Sequence, residues 1–141
     1  MPLRKEHILS VSASTEYLSK VRDFVAFYAK RFGFHKEEIE DIRLAVDEAF
    51  TNVVKHAYQN DSSQKVNIRI GSSNNEFWIS ITDHGKSFDP SKYKEPDLQE
   101  SIKEHKRGGV GVYLIKKLMD KVEYHSTGSG NEILMKKKTI S

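Results

Sequence analysis

The sequence predicts a two-layer α+β sandwich, a single domain over 1–141, on three observations. Its elements run β-α-α-β-β-loop-α-β-β, with no internal repeat. The helices therefore do not alternate strictly with the strands, which disfavours a parallel doubly wound sheet. The third is size: 141 residues, 37% apolar and 10% aromatic, are enough for one core.

Residues 3–12 form the first expected strand, with Ile8 and Val11 as its apolar members. Ser14 or Thr15 then caps a helix that runs to about Phe32 and stops at Gly33. Along it Tyr17, Val21, Phe24, Val25, Tyr28 and Phe32 recur at helical spacing and face a core. A second helix starts near His35, reaches about Tyr58, and leaves through the turn-rich "YQNDSSQ". "KVNIRI" (65–70) and "EFWISIT" (76–82) alternate like half-buried strands, with "GSSNN" as a hairpin link. "GVGVYLIKKLMD" (109–120) reads as a glycine-opened helix, and "KVEYHS", "TGSG" and "NEILMKK" as a closing hairpin.

Composition narrows the function. There are no cysteines, which excludes disulfides, thiolate metal sites and a thiol nucleophile, and fits a reducing cytoplasm. No apolar run approaches a membrane span, and the apolar stretch near the N-terminus is too short for a signal peptide. The net charge is only +3, and no basic stripe is interleaved with aromatics, so neither nucleic acid nor membrane is the expected partner. Lys136, Lys137 and Lys138 read as a solvated strand end.

Three local patterns carry chemistry. On the second helix Ile42, Val46, Ala49, Phe50 and Val53 mark the buried side. Glu48, Asn52 and His56, each about 40° further round, form a polar line beside it. A carboxylate and an amide one turn apart can approach one ligand, although an isolated E-x-x-x-N also suits plain surface. The second pattern is "DHGKSFDP": Asp83 falls where a good strand ends, and Gly85 opens a long polar stretch. In the third, Arg107, Gly108, Gly109 and Gly111 open an apolar-periodic helix, where free N–H groups suit an anion or the glycines serve only a turn. It is neither a Walker loop nor a dinucleotide fingerprint. The connection at about 84–107 exceeds the ~15 residues usual inside a compact domain, so a mobile lid is expected there.

Taken in order, "VDEAFTNVVKHAY", "ITDHGKSFDP" and "RGGVGVYLIKKLMDKVEY" resemble the N-box and two glycine boxes of the GHKL ATPase superfamily. The likeness is greatest to the bacterial anti-sigma-factor serine/threonine protein kinases, the RsbW-like group. The resemblance implies a mixed, mostly antiparallel sheet with helices on one face, and use of ATP with Mg²⁺. It implies that Glu48 is the general base, that Asn52 ligates Mg²⁺ and that Asp83 accepts from the adenine amino group beside Gly85. Gly108, Gly109 and Gly111 would line the phosphates, with Arg107 neutralising the transferred group. His56, Ser87, Phe88, Val110 and Val112 would complete the pocket. Two departures stand out: Ser87 replaces a second glycine, and a threonine common on the last strands is missing, with Glu132 near its place.

The family's partners are an RNA polymerase sigma factor and an anti-anti-sigma protein of the STAS fold, and homodimers are usual. A cytoplasmic stand-alone kinase is therefore expected, since the ATPase fold uses the whole chain and leaves no phosphoaccepting helical domain. The alternative is an ATP-binding regulatory module that sequesters a partner without phosphoryl transfer, which would have no need of Glu48 as a base. A DNA-binding regulator has no motif in its favour.

Overall fold

Ser14 and Gly33 delimit the first helical stretch in the computed structural model, which describes residues 5–58, 61–85, 107–127 and 130–139, with backbone alone at 56–57, 107–112 and 127. Ser14 is extended and its side chain accepts from the Glu16 N–H, which starts a 3₁₀ turn at Thr15–Tyr17. Helix α1 continues over Leu18–Phe32 and ends where Gly33 takes φ 119°, a left-handed value that favours glycine. Its buried side is Val21, Val25, Ala29 and Phe32. Phe24 and Tyr28 pack at the margin of that core.

Helix α2 covers Lys36–Asn52. Its entry is held by Glu38, whose Oε1 accepts from the His35 N–H at 3.0 Å. All five residues expected to face the core, Ile42, Val46, Ala49, Phe50 and Val53, are buried, and Ala45 and Val54 join them. A π-turn, Val53–Ala57, then widens the helix before Tyr58. Its i→i+5 bond is Tyr58 N–H to Val53 O at 3.0 Å. Between α1 and α2, Arg22 Nε lies 3.3 Å from Asp47 Oδ1. The pair attracts by charge but is not aligned as a hydrogen bond, so both buried atoms lack one.

The strands are β1 (His7–Ser12), β2 (Lys65–Ser73), β3 (Glu76–Asp83), β4 (Lys121–Thr127) and β5 (Gly130–Lys138), with helix α3 at Arg107–Leu118. They form one sheet in the order β1-β2-β3-β5-β4. Every pairing is antiparallel, so the mixed character expected of the sheet is absent among the described strands. One face carries Val66, Ile68, Ile70, Phe77, Ile79, Ile81, Ile133 and Met135, all buried. α1 packs against α2, and α2 against α3, to form the second layer.

Four local expectations change. On β1 the core side is Leu9 and Val11, whereas Ile8 points outward and is 64% exposed. The β2–β3 turn is Asn74–Asn75 alone, both at positive φ (52° and 66°), because asparagine tolerates the left-handed region that a two-residue hairpin turn needs. Pairing therefore extends to Ser73↔Glu76, and Gly71 becomes a strand residue. Trp78 explains it: a Cβ on Gly71 would lie 2.4 Å from Trp78 Cζ2, because the indole covers that backbone. Helix α3 begins and ends two residues before the expected 109–120, since Asp120 leaves it to donate its N–H to Lys136 O at 3.0 Å. The expected lid is outside the described residues, apart from its ends.

The sheet face opposite the helices is covered by its own side chains. The Arg69 guanidinium sits 5.9 Å from the Trp78 ring centre. Ser80, 1% exposed, donates its hydroxyl to Glu132. Lys136 Nζ pairs with Glu123 at 3.2 Å.

Candidate functional site

Asp83 is the last residue of β3, and alternation puts it in the same row as Phe77, Ile79 and Ile81. A carboxylate thus closes an otherwise apolar, buried row, itself 5% exposed. A buried charge is tolerated only when it is hydrogen-bonded, and here one oxygen takes two donors. Asp83 Oδ1 accepts from the Gly85 N–H at 2.8 Å and from Asn131 Nδ2 at 2.9 Å. Among the described residues no further hydrogen bond reaches this carboxylate.

Asn131 comes from β5, where the register sets it opposite Asp83. Its Nδ2 also donates to Gly85 O at 3.1 Å, and its Oδ1 accepts from Ser126 Oγ at 2.9 Å. Gly130 lets the strand come this close: a Cβ there would lie 2.5 Å from Asp83 O and 2.9 Å from His84 Nδ1. Glu132, the next residue, pairs with Thr82 and turns to the opposite face, where it bonds Ser80, so Asn131 is the β5 side chain beside Asp83.

Tyr58 ties the strand end to the end of the second helix. Its hydroxyl accepts from the His84 N–H at 2.6 Å and donates to Lys65 O at 3.0 Å. Burial pushes this hydroxyl above its ordinary pKa and the Asp83 charge adds to the rise, against the His84 hydrogen bond. The same helix carries Glu48 and, one turn on, Asn52 at its last regular position, both half-buried. His56 lies in the π-turn, where the 100° step of a regular helix no longer applies, so the stripe of the regular helix ends at Asn52. The His56 side chain is outside the described residues.

Backbone geometry gives the third part. The α3 segment Arg107–Val112 is helical from Arg107 on, and α3 packs against α2. The N–H groups of a helix's first turn have no partner within the helix. The side chains of Arg107, Val110 and Val112 are not described, nor are Ser87 and Phe88 in any respect. Among the described residues no group of three or more His, Asp and Glu gathers to hold a metal. Asn52 offers one hard oxygen, which fits Mg²⁺ only in the manner of sites where waters and phosphates supply the other ligands.

Sequence reasoning missed Asn131, Ser126 and Tyr58. A signal for Asn131 was present, since pairing the last strand against "FWISITD" with Gly130 at its head sets Asn131 across from Asp83.

The chain is similar to known proteins. The family described as "Histidine kinase-like ATPase domain" matches residues 11–137. The chain is 38% identical over 122 residues to the serine-protein kinase RsbW of Oceanobacillus iheyensis, covering 84% of this chain and 77% of that one. It is 36% identical over 134 residues to the serine-protein kinase RsbW of Bacillus subtilis, covering 92% and 82%. Against that of Halalkalibacterium halodurans identity is 40% over 119 residues, covering 82% and 72%. Among solved structures, the RsbU and RsbW domains of Rv1364c from Mycobacterium tuberculosis superpose with TM-score 0.68 at 15% identity, over 95% of this chain and 32% of that one. The Acinetobacter baumannii histidine kinase AdeS gives TM-score 0.54 at 12% identity, over 99% and 70%. These two likenesses speak for the fold alone.

Proposed function

The chain belongs to the histidine kinase-like ATPase domain family, with serine-protein kinases among its relatives, and from that premise we propose that it is an ATP-dependent serine/threonine protein kinase and anti-sigma factor. It holds an RNA polymerase sigma factor and phosphorylates an anti-anti-sigma protein of the STAS fold, in the cytoplasm and as a homodimer. The observation that carries the nucleotide reading is the Asp83 carboxylate, buried at a strand end with one oxygen saturated by two donors. Such a group is rigid, and its other oxygen suits an exocyclic amino group such as that of adenine.

In this reading Gly85 lets the purine lie against the backbone, and Asn52 would hold Mg²⁺ through its side-chain oxygen, where the ion would supply positive charge against the phosphates. Glu48, one turn from Asn52, takes the proton of the attacking serine or threonine hydroxyl. That oxygen bonds to the γ-phosphorus as the bond to ADP breaks. The backbone of Gly108, Gly109 and Gly111 at the start of α3 faces the phosphates, and Arg107 neutralises charge on the group in transit. His56, Ser87, Phe88, Val110 and Val112 line the remainder.

Incubation with labelled ATP, Mg²⁺ and candidate STAS-domain proteins tests the proposal. Label should move to a serine or threonine of one of them, and a sigma factor should be retained in pull-down. ATP-dependent retention of a partner with no label transferred to any STAS protein would favour the sequestering module instead.

A further inference from the structure

The Asp83 carboxylate is held by a small network that joins Gly85 to two residues of the last hairpin. An aspartate χ2 is soft, so its carboxylate plane is set by whatever bonds it. The Gly85 N–H alone would leave the plane free to swing about a single contact. Asn131 Nδ2 supplies the second donor to the same oxygen, at 2.9 Å.

The direction of the Asn131 amide follows from its neighbours. On one side stand the Asp83 carboxylate and the Gly85 carbonyl, which can only accept, so the NH₂ must face them. On the other side the Ser126 hydroxyl, 2.9 Å away, donates to the amide oxygen. β5 provides Asn131 and β4 provides Ser126, its partner in register, and Gly130 lets β5 lie close to Asp83.

We propose that Asn131, oriented by Ser126, is a positioning residue that fixes the Asp83 carboxylate and so sets selectivity for a purine bearing a 6-amino group over one bearing a 6-oxo group. This rests on the reading of Asp83 given above. Asn131 does not touch the base in this scheme; it aims the oxygen that does.

The test compares affinity for ATP and for inosine triphosphate, with Mg²⁺, by calorimetry on the full chain. Inosine triphosphate carries a carbonyl where adenine carries its amino group. Asn131→Leu keeps the bulk and removes the donor. ATP affinity should fall on the order of tenfold, the scale of one hydrogen bond to a charged group, with little change for inosine triphosphate. Asn131→Thr returns a hydroxyl donor on a strand-compatible side chain and should recover part of the discrimination. Ser126→Ala alters an exposed residue, so it serves even if Asn131→Leu fails to fold; its discrimination should drop roughly two- to fivefold as the amide loses its anchor.

Folded Asn131→Leu and Ser126→Ala proteins with wild-type discrimination would overturn the proposal. An equal loss for both nucleotides would also overturn it, since that marks a merely structural role. If the wild type does not prefer ATP, the reading of Asp83 falls and this inference with it. Wild-type preference that survives both substitutions removes the inference and leaves Asp83 standing.

Discussion

Gly130→Ala should disconnect the last hairpin from the Asp83 site, and the structure sets the scale. The added Cβ would lie 2.5 Å from Asp83 O. Carbon–oxygen contacts ordinarily begin near ~3.3 Å, so the strands must part by roughly 0.8 Å. Asn131 Nδ2 now stands 2.9 Å from Asp83 Oδ1 and 3.1 Å from Gly85 O. The same displacement carries both past the ~3.5 Å at which a hydrogen bond has lapsed. Overpacking of this kind costs about 1–3 kcal/mol of stability. Loss of a donor to the carboxylate removes about 1.5–3 kcal/mol more from whatever depends on its placement, or roughly ten- to a hundredfold in ATP affinity.

Gly71→Ala is the matched control. Its Cβ would intrude as far, 2.4 Å from Trp78 Cζ2, but on the sheet face away from the site. Trp78 is the chain's single tryptophan, so its emission reports the displacement directly. Urea unfolding and ATP-Mg²⁺ calorimetry on both variants make the assay. Both should lose stability, Gly71→Ala alone should shift tryptophan emission strongly, and Gly130→Ala alone should lose ATP. Wild-type ATP affinity in folded Gly130→Ala, or an equal loss in Gly71→Ala, would refute the reasoning.

Other expectations address single groups. Asp83→Asn should weaken ATP by about 1–3 kcal/mol and GTP by less, and calorimetry showing ATP unaffected in a folded variant would refute its role. Glu48→Gln keeps size and helix propensity, so transfer to a STAS partner should fall by roughly 10²–10⁴ while nucleotide affinity and sigma-factor pull-down persist; an equal loss of ATP binding would count against a base there. Asn52→Ala should remove the dependence of ATP affinity on Mg²⁺, checked by titration with and without the metal. Burial holds the Asp47 carboxyl above its usual pKa, with Glu48 adding to the rise and Arg22 and Arg43 opposing it. The folded state therefore binds the extra proton, so this group lowers stability as pH rises from about 4 through its raised folded value. Thermal midpoints of Asp47→Asn should decline less over that window, and a decline as steep as wild type would remove Asp47 as its source.

The element order was legible because its signals are local. Ser14 and Gly33 mark the ends of a helical stretch by side-chain capping and by positive φ, each within a few residues. The buried side of α2 follows from spacing, and the alternation of "FWISITD" places Asp83 in a core row at the strand's end. Relations between distant residues were decided only by the tertiary structure. Asn131 and Asp83 are 48 positions apart, and a one-residue difference in register would have brought Glu132 to the site instead. Gly71 and Gly130 both read as turn residues in the sequence, whereas in the fold they are strand residues, one lying under Trp78 and the other with Asp83 O where a Cβ would go. The π-turn at Val53–Ala57 likewise breaks the angular arithmetic that put His56 on the stripe. Periodicity and capping act along the chain and can be read from it, whereas register, close approach and the aim of a buried carboxylate arise only when separate strands pack together.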